Sequence, residues 1–141
     1  MAQPPLETMR SILNNCRTIA VVGLSPRPDR PSHAVAAYLQ GHGYRIFPVN
    51  PTIANVLGER AYPTLRAIPE HVDVVQIFRR PEHVPAIVDD AIAVGAGAVW
   101  MQSGIVCEAA AARARAAGLA VVMNACMMTT HRALRVRRSD R

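Results

Sequence analysis

Thr18-Ile19-Ala20-Val21-Val22-Gly23-Leu24-Ser25-Pro26-Arg27-Pro28-Asp29-Arg30-Pro31-Ser32 decides the fold of this chain. Residues 18–22 read as a buried strand and Gly23 as a sharp exit. The loop that follows is stiffened by Pro26, Pro28 and Pro31, and Ser32 opens a helix. An open α/β sheet holds a nucleotide phosphate at such a step. Backbone N–H groups at the helix N-terminus face an anion, and the helix dipole favours negative charge there. Neither usual fingerprint is present: the chain has no G-x-G-x-x-G and no G-x-x-x-x-G-K-[ST].

Working outward, Ser32 to Gln40 reads as a helix ended by Gly41 and Gly43. Tyr44 to Val49 is the second strand, closed by Asn50-Pro51. Upstream, Leu6, Met9, Ile12, Leu13 and Cys16 recur at helical spacing, which predicts an amphipathic helix over residues 4–16. Residues 52–71 read as irregular, punctuated by Gly58, Pro63 and Pro69, with at most a helical turn from Thr64 to Ile68. Val72–Phe78, Ala98–Met101 and Leu119–Met123 are the third, fourth and fifth strands. Between and after them lie a helix from Pro81 to about Val94, an alanine-rich helix from Val106 to Ala117, and a last one from Thr129 to Val136. Alternating strands and helices imply right-handed crossovers and a parallel sheet. The expectation is one α/β domain over residues 1–141, its core about 10–131. Its five-stranded parallel sheet has the order 3-2-1-4-5, helices on both faces, and ligands at the carboxyl ends of the strands.

Half of the 141 residues are hydrophobic, enough for one sizeable core, and no apolar run reaches the roughly 18 residues of a membrane span. The N-terminal residues lack the basic start and apolar block of a signal peptide. Cys16, Cys107 and Cys126 show neither paired nor metal-ligand spacing, and a reducing cytoplasm fits them. No pair of histidines has convincing metal spacing either. The net charge of +6 sits mostly in residues 132–141, a basic tail read as a solvated end or a weak anion contact; residues 1–131 carry 11 arginines against 9 acidic residues. All 16 basic residues are arginine. Without lysine, Schiff-base chemistry, a pyridoxal-phosphate anchor and a P-loop are excluded.

The carboxyl ends of the strands are Gly23-Leu24-Ser25, Asn50-Pro51, Phe78-Arg79-Arg80, Met101-Gln102-Ser103-Gly104 and Asn124-Ala125-Cys126. They supply amides, hydroxyls, backbone N–H groups and arginines, and no Asp or Glu. General acid–base catalysis needs a titratable group in reach of the reacting atom, and this rim offers only Cys126, with His131 near it. It reads as a binding site more than a reaction site. Gly23 lets the backbone approach a phosphate, or simply makes the turn. Arg27 and Arg30 either pair with phosphates or are solvated. NAD-binding folds carry an acidic residue at the end of the second strand for the ribose 2′-hydroxyl; Asn50 stands there, which disfavours NAD and leaves a phosphorylated adenosine possible. Phe78 stacks on a ligand or packs in the core. Arg79 and Arg80 form a cationic point or pair with Glu82 or Asp89. Cys126 is a ligand-facing thiol open to exchange, or an inert buried one.

Four segments in order carry a family resemblance: Val21 to Ser32, Gly43 to Pro51, Ile68 to Glu82 and Val99 to Val106. Together they resemble the stand-alone bacterial and archaeal CoA-binding domain proteins. Those are Rossmann-like domains similar to the N-terminal domain of the succinyl-CoA synthetase α subunit. The resemblance covers about residues 10–131. It implies coenzyme A as cofactor, with Gly23 and Ser25 at phosphate and Asn50-Pro51 lining the nucleotide end. It implies that Ile77, Phe78 and Arg79 flank the ligand, while Met101, Gln102, Gly104 and Asn124 border the diphosphate or pantetheine. The family's closing motif usually reads like Asp-Arg-Cys-x-x-x-Glu-His. This chain has Asn124-Ala125-Cys126-Met127-Met128-Thr129-Thr130-His131, which keeps the cysteine and histidine and loses an arginine and two acids. The expected function is non-catalytic binding of CoA or an acyl-CoA. The alternative is an NADP-dependent oxidoreductase or an acyl-CoA-processing subunit that needs a partner. Nucleic acid is not expected, because the few aromatic residues do not interleave with arginines as a stacking platform requires.

Overall fold

A computed structural model of the protein describes residues 5–136, so Arg137, Arg138 and Arg141 of the basic tail lie outside the described residues. Helix α1 spans Leu6–Asn15 and strand β1 spans Thr18–Val22. They are followed by α2 (Pro31–Gly41), β2 (Arg45–Val49), the short strands β3 (Asn55–Val56) and β4 (Glu59–Arg60), and β5 (Val74–Ile77). The chain continues through α3 (Val84–Val94), β6 (Ala98–Met101), α4 (Glu108–Ala116), β7 (Ala120–Val122) and α5 (Met127–Leu134). Short 3₁₀ turns cover Leu65–Ala67 and Pro81–His83.

The five long strands form one parallel sheet in the order β2-β1-β5-β6-β7. Both faces are covered, so the strands are mostly apolar and sort their residues by alternation. Ile19 and Val21 of β1 join Ile46, Val74, Trp100 and Val122 beneath α1, α2 and α5. Ala20 and Val22 join Phe47, Val75, Ile77, Val99 and Met101 beneath α3 and α4. Helix α1 buries Met9, Ile12 and Leu13 of the stripe that its spacing predicts, and Cys16 is buried just past its end, while Leu6 stands in solvent. Among the described residues no helix is long and apolar enough to cross a membrane.

The α/β class, the parallel sheet and the two helical layers follow the sequence reading. The strand order does not. Counting the sheet's strands along the chain, the order is 2-1-3-4-5 and not 3-2-1-4-5. The residues explain the correction. Strand β2 contains Pro48 and an exposed Arg45, both suited to an edge, whereas β5 is buried along its whole length and takes the place beside β1. The link between them holds a hairpin and a 3₁₀ turn instead of a full crossover helix. That hairpin, β3 with β4, lies in the stretch that reads as irregular, since two-residue strands carry no periodic signal. It turns at Leu57 and Gly58, both with positive φ, and the Gln40 side chain donates to the Leu57 carbonyl at 3.0 Å. The last helix starts at Met127, two residues before the expected Thr129, because the buried Gln102 Oε1 accepts the Met127 N–H at 2.9 Å. It also reaches Leu134, and Arg132 lies over the Tyr38 ring at 5.1 Å, so the fold extends into the expected tail.

Candidate functional site

The 2-1-3-4-5 order puts the topological switch point between β1 and β5. There the chain leaves β1 through α2 on one face and leaves β5 through α3 on the other. Ligands bind at such points, outside the carboxyl ends of the strands. Gly23 and Phe78 stand at the two exits. Gly23 has φ +91°, and a Cβ placed on it would lie 3.0 Å from both the Phe78 carbonyl oxygen and the Arg79 Cδ. Only glycine fits. Backbone N–H groups of Gly23 and Phe78 donate to Val49 and Val22 at 3.0 and 2.9 Å, which ties the exits together.

The loop from Leu24 to Arg30 is held in shape by its own bonds. Leu24 is fully buried, and its carbonyl accepts the Asn50 amide at 2.9 Å. Asn50 Oδ1 in turn accepts the Thr52 N–H at 2.9 Å and its hydroxyl at 2.7 Å. The Ser25 N–H donates to Ser32 Oγ at 3.0 Å, and Ser25 Oγ accepts the Arg27 N–H at 3.1 Å. Arg27 closes on Asp29 through two bonds of 2.9 and 3.2 Å at the surface. A loop already ordered loses little entropy when a ligand docks on it.

Behind the loop opens a cavity of about 430 Å³. Gly23, Ser25, Arg30 and Ser32 line one part of it. Phe78, Gln102, Ser103 and Cys126 line the rest, together with Val35 and Ile105. Its only charge is Arg30, which has no acidic partner among the described residues. The amino end of α2, at Pro31 and Ser32, adds the positive end of a helix dipole. Arg79 and Arg80 are exposed beside it; the possible partner Asp89 is taken by Arg113 at 2.8 Å.

Five residues picked from the sequence therefore meet on one cavity: Gly23, Ser25, Arg30, Phe78 and Gln102. Pro51 and Arg79 lie on a smaller neighbouring one of about 180 Å³, with Thr64 and Leu65. Asn124, at φ +57°, lies on a larger cavity beyond Cys126 and accepts the Gly104 N–H at 2.7 Å. Leu24, Arg27, Asn50 and Gly104 shape loops instead of lining these cavities. Ile77 and Met101 are wholly buried under α3 and α4, so only their backbone reaches the edge. Ser32 and Ser103 also line the main cavity, outside the residues that the sequence pattern points to. Ser32 was legible as the first hydroxyl after Pro31 at a helix start.

Gln76 was missed as well, although a lone amide in Val74-Val75-Gln76-Ile77 is a visible signal. It is fully buried and donates to Gln102 Oε1 at 3.1 Å; its own Oε1 has no hydrogen-bond partner among the described residues. Gln102 thus accepts from Gln76 and from the first N–H of α5 while its side chain also touches Cys126. Burial pushes the Cys126 thiol up. Hydrogen bonds from the Thr129 hydroxyl and N–H, the Gln102 side chain and the Met128 N–H outweigh it, and the thiol sits below its ordinary value. Iodoacetamide at neutral pH should therefore modify Cys126 ahead of Cys107 and the buried Cys16. Thr129→Val should slow that reaction roughly threefold to tenfold. Mass mapping that finds Cys107 faster, or a Thr129→Val protein unchanged, would contradict this account of the thiol.

Three comparisons place this geometry. The uncharacterized protein YneT of Bacillus subtilis is 40% identical over 131 residues, covering 93% of this chain and 97% of that protein. A hypothetical protein from Pyrococcus horikoshii superposes with a TM-score of 0.90 at 39% identity, over 95% of this chain and 97% of that one. The acetyl-coenzyme A synthetase 1 of Ca. Korarchaeum cryptofilum, solved with phosphate and ADP, superposes with a TM-score of 0.72 at 25% identity, over 82% of this chain and 30% of the larger enzyme. The model of the CoA binding domain matches residues 17–132, and the chain belongs to that family.

Proposed function

We propose that this protein binds coenzyme A or an acyl-CoA along the carboxyl edge of its sheet, in the cytoplasm, and does no chemistry on it. The observation that carries this reading is the main cavity itself. A glycine that must be glycine, the amino end of α2 and Arg30 converge there, and no carboxylate lines it. That set suits a phosphate. Asn50 at the end of β2 is committed to the loop, so nothing there accepts from a ribose 2′-hydroxyl as a carboxylate would. Phe78 is half-buried on the cavity wall and offers an apolar face to the adenine or the pantetheine arm. Among the described residues no carboxylate or histidine lines the cavity, and Cys126 alone is no acid–base pair.

Calorimetric titration with CoA, NADP and NAD at low and physiological salt tests this. CoA should bind selectively and more weakly as salt rises, since its phosphates meet arginine. Arg30→Ala and Arg79→Ala should each weaken binding roughly threefold to tenfold. Preference for NADP, or CoA binding indifferent to salt and to both substitutions, would overturn the proposal.

A further inference from the structure

The main cavity does not end at Cys126. A second one, of about 510 Å³, begins there, and Ser103 and Cys126 line both. It lies between the start of α1 and the start of α5, with Leu6, Met9, Ala125 and Thr130 in its walls. Two properties distinguish it from the first. Among the described residues it contains no charged side chain. It also carries Leu6, 63% exposed, the one large hydrophobic side chain left in solvent among the described residues. A CoA molecule exceeds the drug-sized ligands that fill a cavity of several hundred Å³, so its far end must leave the first cavity. With phosphate at Gly23 and Arg30, the open way along the sheet edge runs over Ser103 and Cys126.

Resting on the CoA reading, we infer that this second cavity is an acyl recess, and that the protein selects CoA thioesters of uncharged aliphatic acids. An aliphatic chain there covers the exposed Leu6 and removes apolar surface from water on both sides. A dicarboxylic acyl group, such as succinyl, would bring a carboxylate into a recess that offers no cation, at a desolvation cost. Neutral hydroxyls and amides, from Ser103, Thr130 and Asn124, suit the thioester end better than a charge.

Titration of the full chain with CoA, acetyl-CoA, hexanoyl-CoA and succinyl-CoA tests the recess. Hexanoyl-CoA should bind about tenfold tighter than CoA, acetyl-CoA should fall between, and succinyl-CoA should gain nothing. Leu6→Asp, at an exposed first helical position that favours an acid, should fold normally and keep its affinity for CoA. It should lose the hexanoyl advantage. Equal affinity for CoA and hexanoyl-CoA, tightest binding of succinyl-CoA, or an advantage that survives Leu6→Asp would each overturn the recess and leave the CoA site standing. Failure of every CoA species to bind would overturn the CoA reading and the recess with it.

Discussion

Gly23→Ala should lower the stability of the fold by about 2–4 kcal/mol and abolish measurable CoA binding. The two effects have one origin. At φ +91° a Cβ is strained whatever the space, and here the space is also taken, by the Phe78 carbonyl and the Arg79 side chain at 3.0 Å. Arg79 can swing aside; the carbonyl cannot, because the adjacent Phe78 N–H is bonded into the sheet through Val22. The exits of β1 and β5 must then separate. The loop that fixes Ser25 and the amino end of α2 moves with them. Thermal unfolding should drop by roughly 5–12 °C. Gly41→Ala is the control: it lies in the last turn of α2 with nothing within 4 Å of a new Cβ and no positive φ, so it should be neutral or stabilising. A Gly23→Ala protein as stable as the wild type would refute the close approach at this corner.

Gln102→Leu should be nearly as damaging although it conserves volume. Gln102 is 4% exposed, and its one oxygen accepts from two buried donors, the Met127 N–H and the Gln76 amide. Leucine leaves both unpaired, and each costs about 1–3 kcal/mol. The loss is expected at about 2–4 kcal/mol in denaturant titration, with the start of α5 loosened from the sheet. A second readout separates this from simple core damage. The Gln102 side chain also hydrogen-bonds Cys126 and helps hold its thiol below the ordinary value. Its removal should shift the pH profile of Cys126 alkylation upward. Lost stability with an unmoved thiol profile would mean that Gln102 supports packing and not the electrostatics of the rim.

The sequence spoke most clearly where one residue type has one physical use. Gly23 between an apolar strand and a Pro/Arg loop announced the corner, and the 3.6-residue stripe of α1 announced a buried face. Alternation of strands with helices was enough for a parallel sheet with two helical layers. Strand order was not legible from alternation, because order depends on which strand can bear an edge; Pro48 and Arg45 in β2 held that information, unread. In the site, residues whose side chains reach the cavity were separable from those acting through the backbone only once burial was known. Ile77 and Met101 sit at strand ends like Phe78 and Gln102, yet the period of two turns them to the α3–α4 face. Arg27 and Arg30 looked alike as cations three residues apart. Asp29 takes the first, and the second faces the cavity.

The order β2-β1-β5 also bears on how the chain emerges from a ribosome. Strand β1 is among the first elements made, yet its two neighbours come from Arg45–Val49 and Val74–Ile77. A nascent chain grown as far as the β3–β4 hairpin has one edge of β1 sealed and the other bare. A bare apolar edge is a template for mispairing with another chain. The Gly23 corner is incomplete for the same interval, since Phe78 and Arg79, the wall against Gly23, have yet to be made. Fragments ending before β5 should therefore aggregate, and the proposed binding of CoA could support folding only after that strand has slotted in beside β1.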